Sequence, residues 1–376
     1  MSTAFEYVVV GAGFYGLAMA NQISEHLGKP VLVIEKRNHI GGNAFSHIDD
    51  DTGIEVHDYG SHLFHTSNEN VWKWLHKFTN FTDYRHTVWT KHEGNIFSLP
   101  FNLNTFSSFF GRHFSPDQAK VFLSDQIHST KMAPQNLEEK ALQLVGQSLY
   151  EAFIKGYTWK QWQTDPKLLP PDVIARIPVR YNFDNRYFTD KYEGLPTRGY
   201  FELFNKIVSS SKIEIWLDVD FFSVKEQFSA ETKFIYSGPL DRYFNYKYGP
   251  LTWRTLDFQM EVINVDDYQG ASVINYADLD VPFTRIHEFK HLHPERNHRN
   301  GNTIIAREFS RFAEGTDEPY YPVNGSQDRE KLKLYRRDAS KVSNTIFGGR
   351  LGSYQYLDMH MAIASAFTDF KVLING

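Results

Sequence analysis

The chain has 376 residues, 40 basic and 45 acidic side chains, a formal charge of −5 and no cysteine. Without a basic block, nucleic acid is excluded as the expected partner, and without thiols there are no disulfides, thiolate metal sites or cysteine nucleophile. The length allows roughly two to three domains with a sizeable core, to which 31 Phe, 21 Tyr and 7 Trp contribute. Most of these rings belong to the core, and the surplus suits stacking on sugar or base rings.

The first predicted element is a strand over 7–10. It runs into GAGFYG, with glycines at 11, 13 and 16, and then into a helix that Gly28 and Pro30 end. A second strand, VLVI (31–34), carries Glu35 at its tip. Gly11 permits the tight turn, Gly13 lets the backbone approach a pyrophosphate, and Gly16 lets helix and strand pack closely. The helix amino terminus offers free N–H groups and a positive dipole to phosphate. Glu35, 19 residues after Gly16, is placed to accept hydrogen bonds from a ribose. Together these features predict a nucleotide-binding α/β unit. Gly41-Gly42-Asn43, after the basic pair Lys36 and Arg37, extends the cradle as flavoproteins do and favours FAD over NAD. Residues 7–20 form the least charged amino-terminal run, but it is too short to span a bilayer and no basic segment precedes it. A cytoplasmic protein without a membrane partner is expected.

From about 101 to 170 the pattern turns helical, with SPDQAKVFLSDQI followed by PQNLEEKALQLVGQSLYEAFIKGY. In the second run Leu137, Ala141, Leu144, Val145, Leu149 and Phe153 recur at helical spacing. Pro170-Pro171 breaks this region, and 177–200 reads as short strands and turns. A helix over 201–208 precedes a strand, IEIWLDVDFF. Residues 251–310 carry strand-like runs, among them SVINYAD and NTIIAREF. The end returns to α/β: a charged helix near 327–342, the strand NTIFG, a glycine turn at 348–352 and a helix from about 356.

GAGFYGLAMA, EKRNHIGGNAF, YGSHLFHT, SLPFNLNTF, NLEEKALQLVGQSLYEAFIKGYTWKQW, RIPVRYNFDNRYF, VPFTRIHEFKH, EPYYP and GGRLGSYQYLDMHMAI occur in this order between residues 7 and about 367. The chain resembles the bacterial UDP-galactopyranose mutases over nearly its whole length. That resemblance implies a Rossmann-like FAD-binding α/β domain (1–78, 207–247 and 322–376) interrupted by two others. These are a helical bundle (101–172) and an antiparallel sheet that binds substrate (79–100, 173–206 and 248–321). It implies a homodimeric isomerase interconverting UDP-galactopyranose and UDP-galactofuranose, the latter used in cell-surface polysaccharides. The family's route is a covalent adduct between N5 of reduced FAD and the anomeric carbon, with no net redox.

Residue by residue, the resemblance puts Arg176 and Arg285 on the substrate phosphates, with Arg176 in a mobile lid. Tyr187, Tyr321 and Tyr356 match phosphate-contacting phenols, Phe153 and Tyr157 the pair against uracil, and Trp162 the sugar side. Arg254 and Asn275 complete the substrate set. His65, Arg350 and Asp358 match residues near flavin and substrate, with catalytic roles. For the cofactor it selects Gly11, Gly13, Phe14, Gly16, Glu35, Lys36, Gly42, Asn43, His62, Val219, Gly349, Arg350, Tyr356, Asp358 and Met359. The chain departs from the family at Trp159, at Gln163 where glycine is common, and in the longer tract HLHPERNHRNGN, read as a surface excursion.

Other patterns carry less. His62 and His65 could share a helix face, but no acid stands between them as in HExxH, and no GxSxG is present. His287, His291, His293 and His298 suggest a metal cluster, but their charged surroundings read as an exposed loop, and no metal is expected. Asp49-Asp50-Asp51 reads as a solvated turn. Two alternatives to the mutase remain: an FAD-dependent oxidase or amine oxidase-like enzyme, and a catalytically silent UDP-sugar-binding flavoprotein.

Overall fold

In the computed structural model, residues 5–127, 133–174, 178–296, 298 and 301–375 are described. The continuous apolar runs YVVV and VLVI form the centre of a five-stranded parallel sheet. Its order is Thr345–Phe347, Lys233–Tyr236, Tyr7–Val10, Val31–Ile34, Ile213–Trp216. Such runs suit strands covered on both faces. Val9, Val33 and Ile235 pack with Leu17 and Met19 of helix Phe14–Gln22 on one face. Val8, Leu32 and Ile34 meet Phe221 and Phe234 on the other. Helix Met359–Asn375 packs on the same first helix. As expected, Gly28 ends that first helical segment, in the left-handed region at φ 65.

The strand expected over IEIWLDVDFF stops at Trp216. Asp218 takes φ 56, and Asp220 accepts from the backbone N–H of Phe222 to cap a short helix, Phe221–Val224. Local capping wins over strand propensity here.

A second sheet has seven strands in the order Tyr321–Pro322, Trp253–Ile263, Thr303–Phe312, Arg285–Glu288, Val273–Tyr276, Val88–His92, Asn95–Leu99. Every junction is antiparallel except one. Val273–Tyr276 runs parallel to Val88–His92, where the early hairpin joins strands from much later in the chain.

The helical region packs around Leu137, Ala141, Val145, Leu149 and Phe153, buried as the periodicity predicts, while Leu144 of the same set is only partly buried. It is not one helix. Gly146 adopts φ 74 and ψ 174 and breaks the run, and a wider π-helical turn over Tyr150–Lys155 leads into helix Gly156–Trp162. Helix Gly199–Ile207 lends Tyr200, Leu203, Phe204 and Ile207 to the core that contains Phe14. Among the described residues no helix is long and apolar enough to cross a membrane.

Candidate active site

The first part of the site is built from backbone at the carboxyl ends of the parallel strands. Gly11 has φ +99, which favours glycine, and a Cβ at Gly16 would overlap the Gly11 carbonyl oxygen. Gly16 thus serves helix–strand contact and does not line the cleft. A Cβ at Gly13 meets nothing nearer than Gly42 Cα at 4.0 Å, so space lies open there. The Gly41 N–H donates to Ala12 O (2.7 Å) and ties the second glycine turn to the first. The cleft continues past Phe14, Glu35, Lys36, Asn43, His62 and Val219 to Gly349, Arg350 and Met359.

Glu35 is 7% exposed and accepts the N–H groups of Ala12 (2.7 Å) and Arg37 (3.0 Å). The ribose-binding acid of the expectation is therefore also a brace for the glycine loop. Glu318, which the sequence reading missed, closes this end with ion pairs of 2.7 Å to both Lys36 and Arg37. Burial opposes its ionisation, yet Arg37 and then Lys36 hold its carboxyl below the usual range.

The second part lies on one face of the seven-stranded sheet. Arg254 is opposite both Tyr321 and Phe312, and Arg285 is opposite both Glu308 and Asn275. Directly paired residues share a face, so the register gathers these side chains. Arg285 donates to the Tyr157 hydroxyl and lies 3.2 Å from Glu308 through Nε. Glu308 also accepts from Thr284 (3.0 Å) and contacts His287 (3.1 Å), whose Nδ1 meets Ser61 at 2.8 Å. Burial opposes ionisation of Glu308, but Arg285 and His287 overcome it and hold the carboxyl at about 2. Burial pushes the Tyr157 phenol up to about 12 and the Tyr321 phenol upward too, so both stay protonated donors at neutral pH.

Arg254 is fully buried, with its guanidinium on Gln163 (3.2 Å) and Ser310 (3.0 Å) and 4.4 Å from the Phe312 ring centroid. Burial, and then Arg311, lower its pKa to about 10. The buried Asn275 Oδ1 has no hydrogen-bond partner. Arg350 joins the two parts. It lines the cleft, donates to the carbonyls of Leu357 and Tyr320, and sits 5.0 Å over Tyr356, which stacks on Tyr321 at 5.7 Å. Fixed guanidiniums and neutral phenols in a desolvated setting suit an anionic, phosphorylated ligand.

The remaining expected residues are more scattered. Tyr187 stands at the rim, 42% exposed. Phe153 is 4% exposed among Phe97 and Phe109 in the helical core, and half-buried Trp162 packs against that core. Arg176 lies outside the described residues. His65 belongs to strand Phe64–Thr66, not to a helix shared with His62. Its Nδ1 meets Asp190 at 2.6 Å, and its ring stacks on Phe188. Ligand atoms of His65, Asp358 and His360 approach within 4.8 Å of one another; His360 was not anticipated. Burial holds His62 at about 4, so its imidazole is neutral.

The expected exposed histidine loop is corrected. His287 and His293 are each 2% exposed. Three of the four histidines serve separate carboxylates: His287 on Glu308, His291 on Asp267 and His293 on Glu55. Only the placement of acids far away in sequence reveals this. The Asp49 turn is as expected, its carboxylate accepting from Thr52.

A family profile for UDP-galactopyranose mutase matches residues 152–356, and one for an NAD(P)-binding Rossmann-like domain matches residues 9–78. The chain is 41% identical to a Klebsiella pneumoniae protein named "Probable UDP-galactopyranose mutase", over 96% of this chain and 92% of that one. It is 39% identical to an Escherichia coli dTDP-fucopyranose mutase over 98% of each. A crystal structure of reduced UDP-galactopyranose mutase superposes with a TM-score of 0.74 at 16% identity, over 99% of this chain and 94% of that one. Glycine cradle, sheet face and sequence likeness agree: the chain belongs to the UDP-galactopyranose mutase family.

Proposed function

We propose that this protein interconverts UDP-galactopyranose and UDP-galactofuranose with bound FAD in its reduced state, without net oxidation. The observation that carries the reading is the meeting, at Arg350, of a glycine-built nucleotide cleft with a guanidinium–phenol cluster. FAD fits the first part: Gly11, Gly13, Gly42 and the amino terminus of helix Phe14–Gln22 would hold its pyrophosphate. Glu35 would take its ribose, and Asn43, His62, Val219, Gly349, Arg350 and Met359 the rest. When bound and reduced, the flavin supplies an electron-rich nucleophile for the anomeric carbon.

The chain's own residues bind and stabilise. Arg285, Arg176, Tyr187, Tyr321 and Tyr356 hold the substrate diphosphate and take up its negative charge as the glycosidic bond breaks. Arg254 and Asn275 back this set from the sheet. Tyr157 and Phe153 would seat the uracil, Trp162 would border the sugar, and His65 and Asp358 would act near the flavin. We extend the proposal to the three-part division of the chain anticipated above, to a cytoplasmic homodimer, and to supply of galactofuranose for cell-surface polysaccharides.

The test is a product assay with and without dithionite, together with identification of the chromophore released on denaturation. Galactofuranose product only under reduction, and released FAD, are expected. Equal turnover of oxidised and reduced protein, or release of NAD alone, would refute the reading. The oxidase alternative accounts for the glycine motifs but leaves the Arg285–Tyr157–Glu308 cluster without a purpose, and it predicts flavin bleaching by substrate alone. A silent binder would take up UDP and form no product. One further reading has a specific support, the 39% identity to a dTDP-fucopyranose mutase: a dTDP-sugar in place of the UDP-sugar, which the same assay with both nucleotides decides.

A further inference from the structure

Lys160 stands outside every role assigned above, yet its side chain is one of the most constrained in the molecule. Its ammonium reaches four carbonyl oxygens of a single turn: Tyr276 (2.6 Å), Asp278 (2.7 Å), Val281 (3.0 Å) and Phe283 (3.1 Å). Three N–H donors shared among four oxygens make this an ion-like cage. Four carbonyl dipoles converging on one point repel each other unless a cation sits between them. One helical turn earlier, Gly156 approaches the same segment so closely that a Cβ would overlap Ala277 O. Residues four apart share a helix face, so Gly156 and Lys160 together seat helix Gly156–Trp162 on the turn 277–284.

That turn connects strand Val273–Tyr276 to strand Arg285–Glu288, and Asn275 pairs with Arg285 across it. Tyr157, next to Gly156 on the helix, receives the Arg285 hydrogen bond. We infer that Lys160 is a positioning residue whose charge holds this turn in the shape that aims Arg285, with Asn275 paired beside it, at the diphosphate. The inference rests on the reading of Arg285 as a diphosphate ligand. Mutual geometry of this kind matters because small displacements of a charged ligand cost affinity steeply.

The charged groups that face Lys160 are Asp278 and Asp280 of the turn. Asp278 is itself engaged by His92 (2.5 Å) and the Glu93 N–H (2.9 Å). Burial lowers the lysine to about 8, against the pull of the two aspartates. Mildly alkaline pH therefore replaces the ammonium by an amine with two hydrogens and a lone pair turned on the carbonyls. The cage then loosens.

The experiment titrates FAD-loaded wild type, Lys160→Met and Lys160→Arg with UDP at pH 7 and pH 9. Thermal midpoint, FAD content and amide hydrogen exchange over 277–284 are read alongside. Wild type is expected to lose affinity about fivefold between the two pH values, and Lys160→Met about tenfold already at pH 7 with no further loss at pH 9. Lys160→Arg, charged throughout, has no alkaline loss, whatever its wider head does to affinity. Exchange in the turn rises about tenfold in Lys160→Met, independently of any ligand. Normal affinity and unchanged exchange in Lys160→Met overturn the inference. Should that variant fail to fold, an alkaline loss in Lys160→Arg as large as in wild type overturns it. A wild type that ignores UDP while exchange rises in Lys160→Met breaks the diphosphate reading instead, and with it the purpose assigned to the clamp.

Discussion

The two halves of the site are made of different material. The nucleotide cleft is mostly backbone: the glycine turns at 11–13 and 41–42, a helix terminus and the acid Glu35, all within residues 11–43 apart from its far wall and Glu318. The sheet face is made of side chains, and its key contact joins Tyr157 to Arg285, 128 positions apart. Backbone sites are tolerant of what surrounds them but not of a methyl group at the wrong Cα. Side-chain sites depend on register, on buried countercharges and on whatever seats one element against another.

The largest expected effect tests the second half. Arg285→Ala should lower kcat/KM on reduced enzyme by about 10²-fold or more while FAD stays bound. The same loss is expected of Arg176→Ala, and steady-state kinetics near wild type in either variant would remove that residue from the proposal. Arg285→Ala also leaves Glu308, which is 3% exposed, with only His287 and Thr284 as partners. The arginine side chain is 30% exposed, so the stability cost should fall below the roughly 3–5 kcal/mol of a fully buried pair. The pH dependence has a definite sign. Glu308 is held at about 2, below its ordinary value of 4.5, so its contribution is complete above the higher value and lost as pH falls from 4.5 towards 2. Denaturation midpoints followed through that window should fall more steeply for wild type than for Glu308→Gln.

The next effect separates two glycines of the first half. Gly16→Ala forces helix and strand apart and should destabilise by about 1–3 kcal/mol, because the Gly11 carbonyl occupies the space. Gly13 has φ −78 and ψ −179, extended backbone open to any residue. Gly13→Ala should therefore keep the thermal midpoint of the ligand-free protein within about 2 °C and still lose FAD, since its methyl would occupy pyrophosphate space. Retention of a full FAD complement in Gly13→Ala would move the pyrophosphate elsewhere.

These contrasts explain what the amino-acid sequence disclosed. The glycine cradle, Glu35 and the helical face through Leu137, Ala141 and Val145 were legible because each rests on spacing within a few turns of chain. Arg254, Asn275, Arg285, Tyr321 and Tyr356 were selected only by resemblance. Nothing local says that Glu308 lies opposite Arg285 or that Tyr356 stacks on Tyr321. The exposed histidine loop failed for the same reason. Its charged neighbours suggested solvent, while Glu55, from the first strands of the chain, and Glu308, from the neighbouring sheet strand, had already claimed His293 and His287. The over-long strand at IEIWLDVDFF failed because Asp220 offered the backbone a cap.

The smallest expected effect concerns Gln163, where the resemblance implies a glycine. Gln163 caps helix Gly156–Trp162 in the left-handed region (φ 46, ψ 37), a conformation that costs a non-glycine residue roughly 1 kcal/mol. Its Oε1 accepts from Arg254 Nη1 at 3.2 Å, and a hydrogen bond to a charged group is worth about 1.5–3 kcal/mol where it is well formed. The side chain thus offsets its own backbone strain by holding a buried guanidinium. Gln163→Gly loses the bond and relieves the strain, so its thermal midpoint should lie within about 2 °C of wild type. Gln163→Ala loses the bond and keeps the strain, and it should be the less stable of the two by about 1 kcal/mol. Both release the same guanidinium and should raise KM by a similar small factor, about two- to fivefold. Equal stability of the two variants would show that the left-handed cap is not strained. A KM change in only one of them would show that Gln163 acts on the substrate by a route other than Arg254.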